Sequence, residues 1–280
     1  MEEEALTMAA SRDQFRQDLN GSLLATMQSH NIDFLPGSVE LGDFDATSTT
    51  IALAPGGEQG RLPQPALNNT FERYWAHFVE RRDGKRQWKD YTPYEWRNVA
   101  AFVRLGWRAR ANEASDYFFK DRAPQGWNQW AEVVSSTPRK PFFVGDLPHA
   151  WVASDFVRSA LDMFAYEREV DDAIVLAAGV PSAWLSGKGI AIDGLHTAHG
   201  TVKYSLVRSD KLLTLQVPEG LRLQAGGLVL PWPYQGEPGA ATVNGEPVEW
   251  MANELRITTL PAKVEIEIPA DLRRSERSRR

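Results

Sequence analysis

Phe15, Leu19, Leu23 and Met27 recur every four residues, which lays one apolar stripe along a helix. Ser11 and Gln14 stand as a capping-box pair at its start, and the pattern stops at Asn31 before Pro36-Gly37 breaks the chain. The polar stretch LGDFDATSTT then leads into a short apolar run, residues 51–54, closed by Pro55-Gly56-Gly57. Leu67, Phe71, Tyr74, Trp75 and Phe78 share one side of a helix predicted over 64–82. Pro93 opens a third helix at the turn where proline is best tolerated, and Asn112 is placed to cap a fourth. A last helix, predicted over 148–167, carries Val152, Phe156, Leu161, Met163 and Phe164. The loops between these helices are long enough to call for a functional reason.

After about residue 170 the period changes. Eight short runs rich in Val, Ile, Leu and Thr follow, each bounded by Gly, Pro or Asp. Alternation is plain in Val202-Tyr204-Leu206 and Leu212-Thr214-Gln216, and Val243-Asn244-Gly245-Glu246 is a hairpin signal. The reading is an α+β chain: a helical segment over 1–170, an antiparallel β-sandwich domain over 171–270, and a solvated, disordered basic tail over 271–280.

Composition narrows the classes. A chain of 280 residues with 42% hydrophobic content can bury one large core or two ordinary ones. A net charge of −6 argues against a dedicated nucleic-acid binder. The absence of cysteine removes disulfides, thiolate metal sites and thiol nucleophiles. No apolar run reaches the length of a membrane span, and the acidic opening MEEEALTMAAS lacks the layout of a secretory signal, so a cytoplasmic location is the default. Ten tryptophans is a high count, and most lie between Trp75 and Trp151. Such crowding suits either a carbohydrate surface or a large aromatic core.

The candidate chemistry concentrates in residues 126–158. Glu132 stands among Trp127, Asn128, Gln129 and Trp130, and a Gly-Asp-Leu-Pro-His-Ala-Trp turn containing His149 and Trp151 follows. Apolar faces of a pyranose stack on indoles while its hydroxyls need fixed donors and acceptors. A carboxyl desolvated by aromatic neighbours is suited to proton transfer. The plainer reading places Trp127 and Trp130 in the core and Glu132 at a helix start or in an ion pair. Asp43 and Asp45 are either site carboxylates or Asx-turn and capping residues. Glu95, beside Tyr94 and Trp96, either lines a sugar subsite or stabilises a helix start through the helix dipole. His149 is placed to donate to a sugar hydroxyl. His196 and His199 have an H-x-x-H spacing, but in a strand i and i+3 face opposite ways, so no metal site is expected there. No cofactor is predicted.

The order of these motifs resembles that of bacterial glucoamylase- and trehalase-like glycosidases. Asp43-Phe44-Asp45-Ala46-Thr47-Ser48 is similar to their Asp-Ala-Ser-Leu-Leu stretch, and Tyr94-Glu95-Trp96 to their Ser-Phe-Trp helix. Trp130-Ala131-Glu132-Val133 resembles their Ala-Glu-Glu position, and the turn from Gly145 to Trp151 their Gly-Asn-Phe-Pro-Gln-Ala-Phe turn. The resemblance covers roughly residues 10–168 and implies part of a six-hairpin (α/α)6 barrel, an (α/α)-toroid segment. It implies hydrolysis of O-glycosidic bonds in an oligosaccharide with inversion, Glu132 acting as general base, with Glu95 and Asp45 as further catalytic candidates. Asp43, Tyr94, Trp96, Trp127, Asn128, Gln129, Trp130, His149 and Trp151 would bind substrate.

Only about five helices precede the β region, and all the matching motifs belong to the second half of such a barrel. The general acid of those relatives belongs to the first half. The chain is therefore expected to be a C-terminal portion with little activity alone, its exposed helix faces covered by a missing N-terminal half or by self-association. The alternative is a non-catalytic carbohydrate-binding or structural remnant. A phosphorolytic relative would need a cationic pocket where Glu132 stands.

Overall fold

The computed structural model describes residues 2–122, 124–137 and 145–277. Residues 138–144, inside the segment singled out above, and 278–280 of the basic tail lie outside that description. Seven α-helices are present among the described residues: α1 Glu2–His30, α2 Ala46–Leu53, α3 Ala66–Arg82, α4 Trp96–Arg104, α5 Arg108–Phe118, α6 Ala150–Phe164 and α7 Ala270–Arg277. Twelve strands accompany them, from β1 Asp90–Tyr91 and β2 Val134–Ser135 to β3 Ala165–Arg168 and β4 Ala173–Leu176. The remainder are β5 Ile190–Thr197, β6 Gly200–Arg208, β7 Leu212–Val217, β8 Leu228–Pro231, β9 Ala241–Val243, β10 Glu246–Val248, β11 Glu254–Ile257 and β12 Ala262–Glu267. The fold is mixed α+β, and the helices do not close into a barrel.

Two compact units divide the chain, one of Met1–Ala101 with Tyr117–Ala153, the other of Phe102–Asp116 with Ser154–Arg280. In the first unit, α3 presents Leu67, Phe71, Tyr74 and Phe78 to the interior, as their spacing predicts. These meet an aromatic cluster in which Phe118 lies against Phe78, Tyr91 and Trp96. Helix α1 ends at His30, and Asn31 takes a left-handed conformation, the stop read from the sequence. Its beginning differs: the helix already runs through Ser11, so Ser11 and Gln14 are interior residues and no capping box forms. Phe15 and Leu19 of the predicted stripe are exposed. Asn112 likewise lies inside α5, its side-chain amide donating to the Arg108 carbonyl, instead of capping a helix.

In the second unit each of the eight β-like runs contains a strand. Six strands form one antiparallel sheet in the order β10-β9-β12-β7-β6-β5. A second sheet has the order β11-β8-β4-β3, and it is mixed because β4 and β8 run parallel. One apolar cluster takes Val202, Tyr204, Leu206, Leu213 and Leu215 from the first sheet and Ile174, Leu176, Leu228 and Leu255 from the second. Alternation produces this: successive side chains of a strand point to opposite faces, so Leu213 and Leu215 face inward while Thr214 and Gln216 do not. Glu246 pairs with Val243 across a turn in which Asn244 and Gly245 both have positive φ, the backbone that a two-residue hairpin needs. The predicted tail is helical over Ala270–Arg277, and Leu272 packs on the apolar cluster.

Candidate functional site

The Glu132 segment is pinned from two sides. Asp90 and Tyr91 pair with Ser135 and Val134, and the Thr92 hydroxyl donates to the Glu132 carbonyl at 2.8 Å. On the other side Glu132 N–H donates to Asp146 O and His149 N–H to Trp130 O, both at 3.0 Å. Trp130 anchors the segment inward. It is 2% exposed, donates its indole N–H to the Phe118 carbonyl and packs edge-on against Trp96, with ring centroids 5.3 Å apart. Glu132, two residues on, is half-buried.

Glu132, Asp146 and His149 bring their polar atoms within 4.8 Å of one another. The Glu132 carboxylate accepts from the Asp146 backbone N–H at 3.4 Å, and no lysine or arginine pairs with it among the described residues. His149 Nε2 is hydrogen-bonded to the Tyr94 hydroxyl, and its Nδ1 lies 3.6 Å from the Asp146 carboxylate. When the tyrosine donates, the ring's proton sits on Nδ1 and faces Asp146. Trp151, 68% exposed, lies edge-on to Tyr94 with centroids 6.3 Å apart. The resulting surface joins a carboxylate, an imidazole, a phenol and an open indole, the groups that bind and deprotonate a hydroxylated ligand. Among the described residues this is the one cluster of three or more side chains able to hold a metal ion; His196 and His199 do not join it.

Gly145, itself exposed, lies directly against the Glu132 side chain. Its φ is +63°, and a Cβ there would overlap the Glu132 carboxylate and lie 2.7 Å from the Glu132 Cβ. Gly145→Ala is therefore expected to cost about 1–3 kcal/mol through backbone strain and to displace Glu132. Thermal denaturation and saccharide titration of the variant check this.

The remaining predicted residues divide. Trp96 is 1% exposed and, with Trp130, belongs to the aromatic core, so neither offers a face to a saccharide. Trp127 is 68% exposed, and Asn128, in a left-handed conformation, accepts from Arg122 at 2.5 Å. Gln129 is half-buried beside them. Asp43 is exposed and accepts from the Ser38 hydroxyl at 2.8 Å. Asp45 is the N-cap of α2, taking the Ser48 N–H at 2.9 Å.

Asp45 and Glu95 line a cavity of about 290 Å³ that they share with His77, Arg81, Trp88 and Asp90, while Glu132 does not line it. Glu95 is held there by a two-pronged Arg81 pair at 2.7 and 2.8 Å and by the Tyr74 hydroxyl at 2.6 Å. Burial, reinforced by the Glu95 charge, pushes the Tyr74 hydroxyl well above its ordinary value, so it remains a donor to that carboxylate. Burial acts to lower Arg81, but the bonds and charge of Glu95 outweigh it and hold the guanidinium above its ordinary value. Glu95 thus stands in this cavity with Arg81 and Tyr74, apart from the cluster around Glu132. Arg81, Tyr74 and Gly145 were missed in the sequence; only the spacing of Tyr74 on the α3 face hinted that it lay inside.

No protein-family model, no curated protein and no solved structure matches this chain.

Proposed function

We propose that the chain handles an oligosaccharide and works in inverting hydrolysis of O-glycosidic bonds, with Glu132 as the water-activating base. In this reading the helical segment is part of an (α/α) toroid and the β region is a sandwich. The observation that carries it is the Glu132 carboxylate itself, untied by lysine or arginine among the described residues and set beside His149, Tyr94 and the open Trp151 indole. His149 and Tyr94 orient sugar hydroxyls, Trp151 takes an apolar ring face, and Glu132 receives a proton from water at the anomeric carbon.

Inversion calls for a carboxylic acid roughly 6.5–9.5 Å from the base. Glu95 is engaged by Arg81 and Tyr74, and Asp45 caps a helix, so the acid comes from elsewhere. That engagement favours a second reading, a saccharide-binding surface without chemistry.

The two readings separate on an activated aryl glycoside, whose leaving group departs without protonation. Hydrolysis with inverted anomeric configuration, followed by proton magnetic resonance, supports the base; binding without turnover leaves the second reading. Trp151→Ala is expected to weaken saccharide binding about tenfold in either case. Unchanged affinity would remove the site.

A further inference from the structure

The second unit holds a cavity of about 890 Å³, within the range of small-molecule sites. Its walls carry four arginines and one acid. Arg104 is paired with Asp162 at 2.7 Å, and Arg168 with Asp171 and Glu254, so these charges are already matched. Arg108 is different. Among the described residues its guanidinium donates only to main-chain carbonyls, those of Ala178 at 2.8 Å, Ala177 at 3.1 Å and Trp232 at 3.5 Å, and pairs with no carboxylate. Burial pushes it down to about 10, leaving it charged at neutral pH. Arg108 opens α5, whose first turn lines the same cavity and adds the positive end of a helix dipole. Trp232 lines the same cavity, but its indole N–H is sealed from solvent and so lies out of reach of an entering ligand.

We propose that this cavity binds a small organic anion, its carboxylate or phosphate held by Arg108 and its apolar body packed among Trp107, Tyr166 and Tyr234. The cavity has the polarity such a ligand needs. Three of the five N–H groups of Arg108 are taken by carbonyls, and the rest remain to meet an oxyanion. This inference does not rest on the glycoside reading.

Calorimetric titration of the full chain with benzoate, phenyl phosphate and the neutral benzyl alcohol tests it. At least one anion is expected to bind saturably and at least about tenfold more tightly than the alcohol, and the better anion identifies the headgroup. Arg108→Gln removes the charge while keeping a donor for the neighbouring carbonyls, and is expected to weaken that anion about tenfold; circular dichroism checks that the variant is folded. Glu132→Gln should leave the titration unchanged, which separates this site from the saccharide surface. Absence of saturation with both anions up to about 20 mM, or equal affinity for the alcohol, overturns the proposal. Unaltered affinity in folded Arg108→Gln overturns the assigned donor.

Discussion

Replacing Glu132 by Gln is expected to lower hydrolysis of an activated aryl glycoside by about 10²- to 10⁴-fold, the contribution of a positioned general base. The amide is nearly isosteric and its oxygen still accepts the Asp146 N–H, so the surface around His149 and Trp151 should persist. Saccharide affinity is therefore expected to stay within about twofold, a change of roughly 0.4 kcal/mol. An activated leaving group matters to the design because it departs without a protein acid, whereas a natural linkage would report on acid and base together. The cluster with Asp146 and His149 raises a rival role for Glu132 as a metal ligand. Chelator treatment distinguishes them: a base acting on water keeps its activity in EDTA, whereas a ligand loses it. Equal rates for the wild type and Glu132→Gln would end the base assignment.

The largest stability effect is expected at Glu95. Removing its carboxylate by Glu95→Ala leaves the Arg81 guanidinium, largely buried over the Tyr91 ring at 4.4 Å, without its counter-charge. It also leaves the buried Tyr74 hydroxyl without its acceptor. Breaking one partner of a buried pair costs about 3–5 kcal/mol. At about 2–4 °C per kcal/mol for a unit of this size, the melting temperature should fall by roughly 6–20 °C. Removing both charges with Arg81→Met/Glu95→Leu should cost less than Glu95→Ala, because no buried charge is then stranded. Calorimetry of the variant beside the parent measures the loss. A Glu95→Ala protein that melts like the parent would show that the pair is not the structural tie described here.

The sequence and the structure agree best where local rules suffice. Strands β5 to β12 were legible because Gly, Pro and Asp punctuate them and their alternation survives folding, down to the Asn244-Gly245 turn. The face of α3 was legible for the same reason. Helix beginnings were not: Ser11 and Asn112 are good caps by residue type, yet helical structure runs past both, since a propensity of this size yields to tertiary context. The tryptophans show the limit most clearly. Trp127 and Trp130 are three residues apart, yet one is open and the other buried against Trp96, a partner 34 positions earlier. Which indole faces solvent depends on such distant contacts. Likewise Tyr94 was read beside Glu95, whereas its hydroxyl reaches His149, and Glu95 turns to Arg81. The candidate residues were thus largely present in the sequence, but their grouping into two separate clusters was not.

Arg168 ends β3, at one margin of the four-stranded sheet, yet its guanidinium reaches Glu254 on β11 at the opposite margin while also holding Asp171. Because this guanidinium is mostly shielded from water, dissolved ions screen its contacts weakly, unlike the open Lys203–Asp193 pair. Raising ionic strength should consequently dissolve the outer charge contacts of this unit first and leave the clasp across its smaller sheet in place.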